Sequence, residues 1–368
     1  MRNARHLKLR GRRPPDPVFR DDPEERPPLR GVLVGIGTMG GHHLRVLRTL
    51  PGVDLRVVVD PDPGRRASAV ANHPGLTARA TLAEALVRHD LDFAALAAPV
   101  EELPALAHEA LAAGLHVLVE KPTAPHEDAA EAMFRDAEAR GLMLGVGHVE
   151  RFNPAVIALK HKLEAGLVGR IVQMNARRLS PFPNREGRRG VAVDLATHDI
   201  DVMRFLTGAE VERVFAETSR PLGTLGEDLV CATLRFDDDA TGLLEVNWMT
   251  PTKVRQLDVI GDRGMCAVDY LTQDLCYYAH PTQPTEWEPF AGITGGGEGD
   301  MVRYALERRE PLRVEWEAFL GAIRDGREAP VDGRDGLAAL STALAIREAG
   351  ERHEVVVPRY RELVHAGV

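Results

Sequence analysis

Short apolar runs alternate with amphipathic segments through the first 150 residues of the chain. Segments rich in Ala and Leu at helical spacing separate the runs, as at 103–113 and 127–140. Alternation of strand and helix patterns predicts right-handed crossovers and a parallel sheet. The apolar runs lie at residues 29–34, 55–59, 94–98, 116–119 and 142–146.

After residue 150 the pattern changes to longer runs in which apolar and polar residues alternate. Such alternation predicts a mostly antiparallel sheet with one face against helices and the other face free for a partner. Helices are predicted at 153–165, 314–324 and 337–349, with a last strand at 354–357. The alternating runs lie at residues 170–178, 212–218, 229–236, 240–248 and 255–260.

The chain divides into four predicted segments. Residues 1–28 are rich in Arg and Pro and lack apolar periodicity, so they are predicted to be a disordered extension. No apolar leader region is present there, and an arm for nucleic acid or membrane is the weaker alternative. Residues 29–149 and 150–358 form the two predicted domains, and 359–368 form a tail.

Composition narrows the class of protein. The 368 residues are 44% apolar and 27% charged, and no apolar run approaches the ~20 residues that span a bilayer. The net charge of −9 disfavours a nucleic-acid surface. The three cysteines show no C-x-x-C spacing, which indicates reduced thiols in a cytoplasmic protein without a metal site.

A glycine motif stands between the first predicted strand and helix. Gly35 permits a tight turn, Gly37 lets a pyrophosphate approach the backbone, and Gly40 allows the helix to pack closely on the strand. Asp60 ends the second strand 20 residues after Gly40, the spacing of an acid that binds the adenosine ribose. Its carboxylate would repel a 2′-phosphate, so NAD is favoured over NADP. A plain glycine turn with a capping aspartate is the alternative.

The fold class follows from these patterns. We expect an α/β protein with an N-terminal Rossmann dinucleotide-binding domain and a C-terminal α+β domain that contains a large, mostly antiparallel sheet.

Two further stretches place ionisable groups where such a sheet binds ligands. Glu120-Lys121-Pro122 directly follows the strand at 116–119, and Asp194 and His198 are spaced as D-x-x-x-H on one face of a helix predicted at 194–206. Ligands bind at the carboxyl ends of parallel strands, so these groups are candidates for catalysis. Taken singly, each has a structural alternative: a surface lysine, a helix-capping aspartate or a buried structural histidine.

These motifs together resemble those of the Gfo/Idh/MocA family of oxidoreductases (glucose-fructose oxidoreductase, inositol dehydrogenase and MocA). The resemblance covers residues 29–358 and rests on the glycine motif with His43, on Glu120-Lys121-Pro122, and on the D-x-x-x-H pair. Within the family, residues 146–154, 176–178 and 181–183 are similar to a group described as UDP-N-acetylglucosamine 3-dehydrogenases.

The resemblance implies an NAD-dependent dehydrogenase that oxidises a sugar ring hydroxyl, C3 of a UDP-N-acetyl amino sugar in this group. His198 would be the base, Asp194 would orient it or bind a hydroxyl, and Lys121 would bind the reacting oxygen. The alternatives are oxidation of a free sugar or inositol and, in another class, a non-catalytic NAD(H)-binding sensor. The resemblance also suggests a homodimer or homotetramer.

The predicted site residues fall into two sets. Arginines are included because their fork suits a diphosphate. The predicted cofactor-binding residues are Gly35, Ile36, Gly37, Thr38, Met39, Gly40, Asp60, Pro99, Glu120 and Lys121. The predicted substrate-binding residues are Lys121, Arg151, Asn153, Arg177, Arg178, Arg185, Asp194 and His198, with Asn184, Lys253 and Arg255 as further candidates.

Overall fold

Six parallel strands form the first sheet of the protein, whose computed structural model describes residues 26–182, 190–280 and 299–360. The strand order is 3-2-1-4-5-6, so the direction of winding reverses beside the first strand, where such sheets open a ligand crevice. The strands are β1 (Leu29–Val34), β2 (Val53–Val59), β3 (Thr77–Arg79), β4 (Phe93–Leu96), β5 (His116–Glu120) and β6 (Leu144–Gly147).

Helices connect these strands in the predicted alternation. Three of them begin with a side chain that caps their free N–H groups: Asp62, Thr81 and His126. The helices are α1 (Thr38–Leu47), α2 (Pro63–Asn72), α3 (Leu82–Arg88), α4 (Leu103–Ala112) and α5 (Glu127–Arg140). The parallel α/β architecture predicted for this half of the chain is confirmed.

Eight strands form a second sheet, in the order 14-13-12-11-7-10-9-8, in which the pair β7 and β10 is parallel and the other described pairs are antiparallel. In β9, Val230, Ala232 and Leu234 are buried whereas Cys231 and Thr233 are exposed, which confirms the predicted two-faced sheet. The strands are β7 (Ile171–Leu179), β8 (Val211–Ser219), β9 (Leu229–Phe236), β10 (Thr241–Asn247), β11 (Val254–Gly261), β12 (Gly264–Asp269), β13 (Asp274–Ala279) and β14 (Met301–Tyr304).

Four further helices follow β6 along the chain, and three of them, the first, second and fourth, pack against the second sheet. They are α6 (Pro154–Glu164), α7 (Thr197–Thr207), α8 (Pro311–Asp325) and α9 (Gly333–Arg352). A 3₁₀ turn, Val149–Phe152, leads from β6 towards α6, and a π-helical turn, Ala192–Ala196, leads into α7. None of the helices in the described ranges is long and apolar enough to cross a membrane.

Helix α8 packs against the first sheet although it comes late in the chain. Trp316 and Phe319 share one apolar cluster with Leu33, Leu44 and Phe93. The predicted division at residue 150 stays a prediction, but the sequence pattern did not indicate this return of the chain.

The last strand predicted from the sequence is not formed. The strand predicted at 354–357 is reduced to a single bridge, in which Val356 exchanges backbone hydrogen bonds of 2.8 and 2.9 Å with Val214. The strand prediction was wrong, since the pairing does not extend to the residues on either side of Val356. The predicted extension and tail lie mainly outside the described residues, at 1–25 and 361–368.

Candidate active site

The glycine loop between β1 and α1 is shaped to admit a phosphate. Gly35 has φ +84°, and a Cβ added there would lie 2.5 Å from the Ala97 carbonyl oxygen, while a Cβ on Gly40 would collide with the carbonyl oxygen of Gly35. Beside Gly37 the nearest such atom is Arg65 Nη1 at 3.9 Å, so its missing side chain leaves open space. The third glycine therefore serves packing, and the second leaves room for a ligand.

The start of α1 fits the same ligand. Thr38 is its exposed first residue, no side chain caps the helix, and its first turn carries no acidic residue. The free N–H groups and the positive end of the helix dipole therefore favour an anion beside Gly37. The loop, with Ile36 and Met39 part-buried in it, could hold the pyrophosphate of NAD.

Asp60 stabilises the glycine loop through hydrogen bonds from backbone N–H groups. One carboxylate oxygen accepts the Ile36 N–H at 2.9 Å, and the other accepts the Asp62 N–H at 2.9 Å. The residue is 2% exposed, and Arg65 Nη1 lies 3.6 Å from the carboxylate. Its predicted contact with the ribose stays a prediction, while its hold on the loop is visible in these bonds. Pro99 is exposed near the same edge, after β4.

Glu120 belongs to a buried hydrogen-bonded chain that spans three elements. Trp316 Nε1 donates to His43 Nδ1 at 2.9 Å, and His43 Nε2 lies 2.8 Å from Glu120 Oε1. Because an indole nitrogen only donates, His43 must accept at Nδ1, which leaves the Nε2 proton to be donated to the carboxylate. The other Glu120 oxygen accepts the Lys121 N–H at 3.1 Å. Trp316 carried no signal in the sequence, because it lies 273 residues from its partner.

Glu315, next to Trp316 in α8, is a second residue that sequence reasoning missed. It is 1% exposed, and neither carboxyl oxygen has a hydrogen-bond partner among the described residues. Burial, together with the nearby negative charges of Glu120 and Asp201, raises the pKa of this carboxyl well above its usual value. The surroundings of Glu315 therefore favour the neutral, protonated form of its carboxyl group.

Lys121 directs its ammonium group across the edge of the first sheet to the π-helical turn. Its Nζ atom donates to the Asp194 backbone carbonyl at 2.6 Å and lies 3.4 Å from the Asp194 carboxylate. Turns of this kind inside helices are frequent at functional sites. The sequence predicted one regular α-helix from Asp194 onward; instead, α7 begins at Thr197, and the carboxylate that was expected to orient His198 is directed to Lys121.

His198 stands at the start of α7 as a neutral imidazole. Its Nδ1 atom is buried and has no hydrogen-bond partner within the described ranges. Burial, reinforced by the positive charges of Lys121 and Arg178, holds its pKa well below 6.5. His148, at the end of β6, is likewise buried with an unbonded Nδ1 and a pKa lowered by burial. Within the described ranges, no group of His, Cys, Asp and Glu residues is arranged to hold a metal ion.

Two of the arginines predicted to bind substrate are engaged elsewhere. Arg151 forms a two-bond pair of 2.6 and 2.7 Å with Asp201 and a further bond of 3.0 Å with Asp335. Arg178 makes equivalent contacts with Asp199, and its Nη1 lies 3.0 Å from Glu150.

These ion pairs already engage Arg151 and Arg178, and the predicted contact of both residues with a substrate stays a prediction. Both side chains are buried, and the carboxylates raise both guanidinium pKa values against the effect of burial. Releasing either one towards a substrate would leave buried carboxylates unpaired, which is costly. Their geometry therefore supports a positioning role for the 3₁₀ turn, β7 and α7.

The other substrate candidates are distributed differently. Arg177 points to the opposite face of β7, where its Nε lies 2.9 Å from Glu245 on the open side of the sheet, because successive strand residues alternate sides. Asn153 caps α6 through Ala155 N–H at 3.1 Å and donates to the Tyr270 carbonyl at 3.1 Å. Arg185 and Asn184 lie outside the described residues.

Comparison with known proteins agrees with this arrangement. Residues 29–148 match the family model described as "Oxidoreductase family, NAD-binding Rossmann fold", and residues 156–267 match the "GFO/IDH/MocA C-terminal domain". Similar proteins include UDP-N-acetylglucosamine 3-dehydrogenase of Acidithiobacillus ferrooxidans, 29% identical over 88% of this chain and 97% of that protein. Myo-inositol dehydrogenase Hyg17 of Streptomyces leeuwenhoekii is 33% identical over 88% of this chain and 96% of that protein.

A solved structure of the Acidithiobacillus ferrooxidans enzyme GnnA superimposes with a TM-score of 0.78 at 27% identity, over 88% of this chain and 98% of that chain. The two family models, which match different parts of the chain, and the relatives that cover 88% of it thus indicate the same family. The chain belongs to the Gfo/Idh/MocA family of oxidoreductases and is an NAD-binding dehydrogenase that acts on CH–OH groups.

Proposed function

We propose that this protein oxidises a ring hydroxyl of a nucleotide-linked amino sugar, namely C3 of UDP-N-acetylglucosamine. The observation that carries the proposal is the meeting of Lys121, Asp194 and His198 at the sheet edge that also presents the glycine loop. Dehydrogenation needs a proton acceptor, a group that stabilises the developing alkoxide, and a hydride acceptor in one place.

The side chains divide this chemistry between them. NAD, when bound, supplies the hydride acceptor. His198 is unprotonated at neutral pH because its pKa is lowered, so it can accept the hydroxyl proton. The Lys121 ammonium hydrogen-bonds the same oxygen and favours the negative charge that develops there. Asp194 fixes Lys121 through its carbonyl oxygen and leaves a partly exposed carboxylate that can accept a substrate hydroxyl.

The sugar is the finer part of the proposal. Its support is the 29% identity with a UDP-N-acetylglucosamine 3-dehydrogenase over nearly the whole of both chains. The second candidate, oxidation of inositol or a free sugar, is favoured by the 33% identity with a myo-inositol dehydrogenase. A non-catalytic NAD(H) sensor would have no need of a neutral imidazole beside a fixed ammonium group.

One screen decides between these candidates. NADH formation is followed with UDP-N-acetylglucosamine, free N-acetylglucosamine and myo-inositol at matched concentrations, each with NAD and with NADP. We expect turnover of the UDP-linked sugar with NAD. Equal or better turnover of the free sugar or of inositol would refute the nucleotide-sugar proposal, and no turnover of any of them would favour the sensor.

We also propose that the protein acts in the cytoplasm as a homodimer or homotetramer built on the open face of the second sheet. Phe215, Thr233 and Leu243 are register neighbours across β8, β9 and β10 and are exposed on that face. Such an interface would bury roughly 2,000 Å² or more in total. Sedimentation at micromolar concentration should show a species of at least twice 40.3 kDa, and a monomer alone would contradict the proposal.

A further inference from the structure

Arg255, at the start of β11, is a part-buried cation that none of the carboxylates in the described ranges pairs with. It pairs in register with Arg178 of β7, so both side chains leave the sheet on its inner face, towards α7. Its Nη1 atom donates to the backbone carbonyls of Leu179 at 2.6 Å and Val254 at 2.8 Å. No carboxylate of the described residues lies within ion-pair distance of its guanidinium.

Arg178, the register neighbour of Arg255, is paired with two carboxylates. Asp199 and Glu150 lie on this side of the sheet, and both are bonded to Arg178. Burial and the charge of Arg178 lower the pKa of Arg255 to about 10, which means that the site disfavours this cation as it stands. A part-buried guanidinium of this kind is stabilised by an anion.

Two neighbouring side chains also have unused hydrogen-bonding groups. The Tyr270 hydroxyl is buried beside Asp199 but makes no hydrogen bond of good geometry within the described part of the chain. The backbone N–H of Tyr270 donates to the Arg255 carbonyl at 3.0 Å. The unbonded His198 is also close enough for the charge of Arg255 to contribute to its lowered pKa. The cation, the hydroxyl and the base therefore share the inner face of the sheet.

We propose that Arg255 is the specificity-determining residue that binds the diphosphate of the substrate, with the Tyr270 hydroxyl as a second donor. This assignment rests on the proposed function, because a diphosphate distinguishes a nucleotide sugar from a free polyol. Among the described residues, Nε and Nη2 of its guanidinium have no partner and can make a two-bond contact with phosphate oxygens, whereas Nη1 anchors it to the Leu179 and Val254 carbonyls.

The test is calorimetric titration of the NAD-saturated protein with UDP and, separately, with uridine, which lacks the diphosphate. Arg255→Gln should weaken UDP binding roughly 10- to 100-fold and leave uridine binding unchanged, because a charged hydrogen-bond partner is lost. Arg135→Gln, on the exposed surface of α5, is the matched control and should bind UDP like the unmodified protein. Arg255→Lys keeps the charge without the fork and should be intermediate.

Three results would overturn the assignment of Arg255. They are unchanged UDP affinity in Arg255→Gln, an equal loss of uridine affinity in that variant, and an unmodified protein that does not bind UDP. If Arg255→Gln does not fold, Arg255→Lys decides by the same UDP and uridine criteria. The proposed function fails separately, if the unmodified protein turns over myo-inositol but not UDP-N-acetylglucosamine.

Discussion

Replacement of His198 by alanine tests the role of the proposed base most directly. Loss of a general base lowers the rate by about 10²- to 10⁴-fold, or about 2.7 to 5.4 kcal/mol in the barrier at 1.36 kcal/mol per factor of ten. The structure sets where on the pH scale this loss is seen. Because the pKa of His198 lies well below 6.5, the unmodified enzyme holds the base unprotonated at neutral pH, and the full loss should appear there.

The pH profile carries a second, independent readout. As the pH falls through the lowered pKa, His198 gains a proton and kcat/KM should fall, so the acid limb of the profile lies below pH 6.5. His198→Ala should lose that limb. Lys121→Met removes one of the positive charges that lower this pKa and should move the limb to higher pH, in addition to slowing the reaction.

The assay is the initial rate of NADH formation over a series of pH values, with NAD affinity measured separately by fluorescence quenching. His161→Ala, on the exposed side of α6, is the matched control and should leave rate and profile unchanged. A His198→Ala enzyme with normal kcat would refute the assignment. An acid limb above pH 6.5 in the unmodified enzyme would refute the electrostatic reasoning.

Three further predictions follow from the packing. Gly37→Ala should fold normally yet bind NAD at least about tenfold more weakly in calorimetry, because its methyl group occupies the space proposed for the phosphate. Gly40→Ala should instead lower the thermal melting temperature, because its methyl group collides with the Gly35 carbonyl oxygen. Trp316→Phe should lower the free energy of unfolding by about 1 to 3 kcal/mol in urea titration, because a buried histidine acceptor loses its donor; an unchanged midpoint would contradict this. Acidification from pH 6.5 downward should lower the melting temperature, because the unfolded chain binds more protons at His148 and His198 than the folded chain does. A melting temperature that stays constant or rises would contradict the two lowered pKa values.

The sequence was sufficient for features whose signal is local. The alternation of strand and helix patterns, the glycine motif at 35–40 and the residues that follow β5 are fixed by neighbours within a few positions. Turn geometry, side-chain periodicity and helix starts depend on those neighbours, so local sequence predicts the parallel sheet and the edge that carries the candidate site.

Side-chain roles were predicted less well, because a residue type does not reveal its partner. Arg151, Arg177 and Arg178 look alike in sequence, yet two are held by buried acids and the third points to the open face of the sheet. The difference depends on strand register and on which acids α7 and α9 present, and register is a property of the assembled sheet.

Chain composition and local pattern alone thus determined the fold class, the nucleotide loop and the position of the candidate base. Only the tertiary structure decided that α8 returns to the first sheet, that Trp316 holds His43 against Glu120, and that Arg255 lies beside Arg178 on the sheet. The physical reason is that each of these features joins segments far apart in the chain. Their contacts are selected by packing and charge complementarity after the elements have formed, so no local window contains them.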